Sequence, residues 1–332
     1  MRLLSPQNQL FTLARSGKRL PHLIVAIILA VVFIFAAQLI GGPIAIILVL
    51  LTSLAAGQFT SAQLQQGLSS GDPAVVMSYL FPDTGLEQAI FLICSFGPIF
   101  LILWAWLALF EKRPLWTIGL ERPAAWQKYL RGGLVGLVMF MVSVGISAAM
   151  GFIAVEPGES SSTGVLALGG VLLVLAGWMV QGAAEEALTR GWLLPVIGAR
   201  YRPWLGILVS SLLFAGLHSL NPNLSLIAML NLALFGLFAA LYALADQSMW
   251  GVFSIHTVWN WAQGNLFGFE VSGQPAPGGT LFNLMEIGPD WLTGGPFGPE
   301  GGLAVTIVLV ISCVVVWLVG SRRPDSNKVT VT

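Results

Sequence analysis

Apolar residues in this chain gather into long stretches with no polar face. Eight of them approach or exceed the ~20 residues that a membrane-spanning helix requires. They cover residues 22–51, 88–110, 132–155, 172–199, 203–220, 224–245, 249–267 and 303–320. The fold class they predict is all-α, a polytopic transmembrane helical bundle of about eight spans. The first stretch is too long for one straight span and too short for two with a turn, and Gly41-Gly42-Pro43 interrupts it. A kinked or tilted single helix is expected there, with a re-entrant segment as the alternative. A cleaved signal peptide is set aside, because the apolar run after Arg15, Lys18 and Arg19 far exceeds the ~7–15 apolar residues of a signal. The segment is read as an anchor.

Composition supports this picture and narrows the function. Of 332 residues, 56% are hydrophobic and 9% charged, against roughly 25% charged in soluble domains, and the mean hydropathy is +0.84. An ordinary soluble enzyme, a disordered chain and a nucleic-acid binder are excluded. With 15 basic and 15 acidic residues the net charge is zero, so the placement of the charges carries the information. Arg2, Arg15, Lys18 and Arg19 precede the first stretch, and Lys112, Arg113, Arg122, Lys128 and Arg131 fall between or beside the second and third. Arg200 and Arg202 flank a turn, and Arg322, Arg323 and Lys328 follow the last stretch. Segments 57–87, 156–171 and 268–302 contain no Lys or Arg. Eight spans put every basic residue except Arg190 on one side, and the positive-inside tendency makes that side, with both termini, cytoplasmic. The expected location is an integral, multi-pass position in the plasma membrane. Segment 268–302, dense in Gly and Pro, is expected to be irregular, and Cys94 and Cys313, both in apolar runs, give no disulfide framework.

Ionisable groups inside spans cost ~2.5–3.5 kcal/mol each on insertion scales, so those present are candidates for function. The fourth stretch holds Glu185, Glu186 and Arg190, the fifth His218 four residues after Phe214, and the seventh His256 four residues before Asn260. Residues four apart share a helix face. Counted from the nearest cytoplasmic charges at ~1.5 Å per residue, Glu185 and His218 lie roughly 22–24 Å along their helices, and His256 and Asn260 roughly 15–21 Å. The depths are similar. Glu186 and Arg190 also read as a plain intrahelical ion pair, Asn260 as packing glue between helices, and each histidine as a buried, hydrogen-bonded side chain. Glu185 is read as having no partner left in its own helix. His22 sits at a membrane boundary.

Taken in order on successive helices, Glu185-Glu186-x-x-x-Arg190, Phe214-x-x-x-His218 and His256-x-x-x-Asn260 resemble the CPBP intramembrane proteases. That group contains the Rce1-like CAAX prenyl endopeptidases and bacteriocin-immunity membrane proteins. The resemblance extends over about residues 172–267, including Arg190-Gly-Trp-Leu-Leu-Pro and Trp261-Ala-Gln-Gly-Asn-Leu-Phe-Gly-Phe. It divides the chain into N-terminal spans (1–163), a catalytic core (164–267), and an outer loop, last span and cytoplasmic tail (268–332).

Peptide hydrolysis in a membrane needs an activated water, a proton donor for the leaving amine and donors for the oxyanion. Glu185 with His218 would hold and deprotonate the water, and His256 with Asn260 would serve the oxyanion. The resemblance implies the same assignment, with Glu186, Arg190 and Phe214 in support. The implied partners are a membrane-associated protein or peptide substrate and the lipid bilayer. No cofactor is favoured. Zinc held by Glu185, His218 and His256 is the alternative, since that is the donor set of a catalytic zinc site. Two rival functions stand beside the protease: a proton-coupled transporter, for which no inverted repeat is visible, and a non-enzymatic immunity or scaffold protein.

Overall fold

The computed structural model describes residues 3–157 and 162–322. Arg2, Arg323 and Lys328 of the charge pattern, together with residues 158–161, lie outside the described residues. A short helix, α1 (Gln9–Arg15), starts where the Asn8 side chain accepts from Leu10 N–H. The first apolar stretch then forms one continuous helix, α2 (Leu23–Ala55), of 33 residues with Pro43 inside. At ~1.5 Å per residue it is roughly 50 Å long, well beyond the ~30 Å hydrocarbon layer. Small residues at about every fourth position (Ala26, Ala30, Ala37, Gly41, Ala45) are buried against the protein, while Ile28, Phe35, Leu39 and Ile47 are exposed. The exposed face of such a helix is its lipid face.

Segment 57–87 is not a plain loop. It holds α3 (Ser61–Ser70), started by a Thr60/Gln63 capping box, and α4 (Pro73–Leu80), capped by Asp72 with Pro73 at its first position. The second apolar stretch becomes α5 (Gly85–Phe96) and α6 (Pro98–Trp106), extended by a π-helical turn, Leu107–Glu111. The third becomes α7 (Ala125–Ala149). In the fourth, α8 (Leu168–Glu186), a π-helical segment (Ala187–Leu193) and α9 (Leu194–Arg200) follow one another without a break. After these come α10 (Pro203–Leu217), α11 (Leu226–Asp246) and α12 (Trp250–Trp261), the last with a π-helical turn, Ala262–Phe267. The last described helices are the one-turn α13 (Asp290–Thr293) and α14 (Leu303–Arg322). Segment 268–302 is largely irregular, but it contributes β2 (Leu284–Glu286), which pairs antiparallel with β1 (Ile153–Val155).

The protein is a polytopic helical bundle. Among the described residues six helices are long and apolar enough to cross a membrane: Leu23–Ala55, Gly85–Glu111, Ala125–Ala149, Gly164–Arg200, Leu226–Asp246 and Leu303–Ser321. The fifth and seventh apolar stretches are shorter as helices, with 15 residues in α10 and 12 in α12 before its π turn. The packed pairs that define the interior are α7 on α12, α8 on α5 and α12, and α11 on α10 and α14. At the α7–α12 crossing Gly132 and Gly136 lie directly on the backbone of Gly251 and Ile255, so a side chain at either position has no room.

Described basic residues other than the buried Arg190 collect at one end of the bundle. Lys18 N–H donates to the Glu111 carbonyl at 2.8 Å, Arg200 binds the Leu20 carbonyl and His22, and Lys128 reaches the Asp246 carbonyl at 3.2 Å. Glu111 there accepts from the indoles of Trp106 and Trp192 at 3.0 and 2.6 Å and pairs with Arg113 at 2.7 Å. This buried cluster ties the π turn after α6 to the π segment after α8.

Candidate active site

Where α8 crosses α12 the backbones come within reach because residue 182 is glycine: a Cβ there would sit 2.9 Å from the Thr257 nitrogen. One turn later α8 presents Glu185 and Glu186, opposite His256 on α12. Glu186 is fully buried, and its Oε1 accepts from Arg190 Nη1 at 2.8 Å and lies 3.0 Å from His256 Nδ1. A carboxylate at that distance makes Nδ1 the protonated nitrogen of His256 and turns Nε2 toward the cavity side of the ring. Nε2 is 3.8 Å from Glu185 Oε2, too far for a direct hydrogen bond.

Glu185 does have a partner in its own helix, a polar rather than a charged one. Gln181, one turn earlier, donates Nε2 to Glu185 Oε1 at 2.8 Å, and its Oε1 accepts from Asn260 Nδ2 at 3.0 Å. The carboxamide bridge locks Glu185 and Asn260 into one network. Among the described residues Glu185 Oε2 is buried without a hydrogen-bond partner, which is unusual for a carboxylate oxygen in a low-dielectric interior. Thr189 Oγ1 donates to the Glu185 carbonyl at 2.6 Å and accepts from Arg190 Nη1 at 2.9 Å.

His218 differs from its expected place inside a span. Helix α10 stops at Leu217, and His218 is its C-cap residue, partly exposed, with Nδ1 2.8 Å from the Phe214 carbonyl. A carbonyl only accepts, so Nδ1 carries the proton and Nε2 keeps its lone pair, as a base requires. The Phe214 ring fixes the neighbourhood: its centroid lies 4.7 Å from that of His218 and 5.9 Å from that of His256, and the Arg190 guanidinium carbon sits 4.3 Å from it. Phe235 of α11 adds an edge contact to His256 at 5.2 Å.

Glu185, His218, His256 and Asn260 all line one cavity of about 660 Å³, which is also reached by α2, α5, α11, α14 and segment 268–302. The structure therefore brings together four side chains from α8, the end of α10 and α12. Glu186 and Arg190 stand directly behind them, and Phe214 lies among them. Helical spacing did not single out Gln181, although it is a polar residue four before Glu185, and no periodicity marks Ser272 or Glu300. Among the described residues no three His, Cys, Asp or Glu side chains converge as a metal site. Glu185, His218 and His256 share the cavity without closing into a three-ligand zinc set.

Residues 167–262 match the family model for Type II CAAX prenyl endopeptidase Rce1-like proteins. The match covers under a third of the chain and runs from the start of α8 to the end of α12. No curated protein and no solved structure matches the chain.

Proposed function

With an Rce1-like segment in the middle of a polytopic helical bundle as premise, we propose that this chain is an intramembrane endopeptidase acting on a membrane-associated protein or peptide. The observation that carries the reading is the buried Glu185 Oε2, unpartnered in a cavity that also holds the free lone pair of His218. A water bridging those two groups would lose a proton to Glu185 while His218 orients it, and attack the scissile carbonyl. Asn260 Nδ2 and His256 Nε2 serve the oxyanion, the histidine as an imidazolium whose other N–H stays on Glu186. Glu185, now protonated, returns the proton to the leaving amine. Gln181 positions Glu185 and Asn260 together, and Arg190 offsets the charge of Glu186.

The test is cleavage of a peptide library by purified protein in detergent, wild type against Glu185→Ala. Cleavage lost in the variant is the expected result, and cleavage by both at equal rates sinks the assignment. In the same assay a chelator strong enough to strip zinc is expected to leave turnover intact. Activity that disappears on chelation and returns only with added zinc would replace this mechanism by one with Glu185, His218 and His256 as ligands.

A further inference from the structure

Glu300 belongs to the turn Pro299–Gly301 that leads into α14, and it is only 8% exposed. It lines the same cavity as Glu185, His218 and His256. Its placement is built. Ser272 N–H and Oγ both donate to Glu300 Oε2, at 3.0 and 2.7 Å. The Ser272 carbonyl accepts from Asn221, three residues past His218, at 2.9 Å. On the other side Asn231 of α11 donates to the carbonyls of Glu300 and Gly302 at 2.7 and 2.9 Å, and Thr306 of α14 donates to Asn231 Oδ1 at 2.6 Å. Holding the loop in this way does not require a charge, because a glutamine oxygen would accept the same two bonds from Ser272.

Carboxylates outnumber the groups that can carry a positive charge in the cavity wall. Its ionisable lining among the described residues consists of Asp83, Glu185, Glu300, His218 and His256, with no Lys or Arg. Arg190 lies behind the wall, paired with Glu186. Burial pushes the Glu300 carboxyl above its ordinary range, against the opposite pull of its Ser272 hydrogen bonds and of His218 and His256. A bound ammonium or guanidinium would supply the missing charge, whereas a carboxylate would meet like charges in a low-dielectric space.

Resting on the endopeptidase reading, we infer that Glu300 is a specificity-determining residue that favours substrates placing a basic side chain at its end of the cavity and disfavours those placing a free carboxylate there. The probes are fluorescein-labelled apolar peptides that differ only at one scanned position, carrying Lys, norleucine or Glu, each made with a C-terminal acid or amide. Binding to full-length Glu185→Gln protein is read by fluorescence polarisation. At the best position the Lys peptide is expected to bind about tenfold more tightly than its Glu counterpart, and amides more tightly than acids. In Glu185→Gln/Glu300→Gln protein that gap is expected to shrink to under about threefold, with the norleucine peptide still bound. Equal binding of Lys and Glu peptides, an undiminished gap in the double variant, or loss of norleucine binding there would each overturn the inference. Cleavage of the same peptides by wild-type protein separates the two readings. Charge-selective binding without any cleavage removes the endopeptidase and leaves the selectivity of Glu300, while cleavage without charge preference does the reverse.

Discussion

Glu185 and Glu186 are adjacent in sequence, and their surroundings give them different work. Glu186 is committed to Arg190 and His256, whereas Glu185 keeps an unpartnered oxygen. Glu185→Gln preserves shape and removes the base, so turnover should fall by ~10²–10⁴ with peptide binding retained in the polarisation assay. Asn260→Ala should cost ~10²–10³ in turnover with little change in binding. Because Gln181 joins these two side chains, Gln181→Leu combined with Asn260→Ala should cost less than the product of the single losses. Multiplicative losses would show that the bridge does not transmit. Glu186→Gln acts on folding as well, since it weakens the pairing of a fully buried guanidinium, and breaking such a pair outright costs ~3–5 kcal/mol. The check is the folded yield by size-exclusion chromatography, expected to drop together with activity.

At the scale of elements, helix packing and a buried carboxyl each set local stability. The first is the α8–α12 crossing at Gly182. Gly182→Val forces the helices apart and should lower both thermal stability, by the ~1–3 kcal/mol typical of overpacking, and turnover. Gly145→Ala on α7, where an added Cβ meets nothing within 4 Å, serves as the control and should leave both near wild type. The second element is the pairing of β1 with β2. Glu286 is pushed up to about 8 there, first by burial and then by the neighbouring charges of Glu270 and Asp290. A folded-state value above the ordinary 4.5 means that the folded form binds the proton more tightly. The ribbon is therefore favoured at low pH and loses that stabilisation as pH rises from about 4.5 through about 8. Opening free energies from hydrogen exchange at residues 153–155 and 284–286 should fall between pH 5 and pH 9, and Glu286→Gln should flatten the trend. Opening that is independent of pH in wild type would contradict it.

For the whole molecule, sidedness follows from charge and parity. Described basic residues from the N-terminal segment, the 111–131 segment and the 200–202 turn meet at one end. Gly320, near the end of α14, packs beside Leu3 and Ala245 at that same end. We propose that this end is cytoplasmic with eight crossings, α10 and α12 included. A cytoplasmic reporter fused after Lys128 or after Lys328 should then be active, and one inserted near Gly278 should not. An external signal after Lys328 would refute the parity.

The helical class, the position of most apolar helices to within a few residues (the third, Ala125–Ala149, begins seven residues before the stretch that predicts it), and the segregation of basic residues were legible in the chain itself, because lipid demands long apolar helices and leaves no other way to satisfy the backbone. The three motifs were legible for a related reason: a charge inside such a run is expensive enough to stand out against its neighbours. That Glu185, His218, His256 and Asn260 share a cavity is a tertiary fact. It depends on a glycine contact at 182 and on α10 ending where His218 becomes its C-cap residue. Gln181, Ser272 and Glu300 were invisible as site residues, since a polar residue in a helix or a Gly/Pro-rich loop carries no period that says what it faces. Apart from the bond of Gln181 to Glu185 within one helix, their partners lie 28 to 79 residues away along the chain, and only the packing of the helices brings such groups within hydrogen-bond reach.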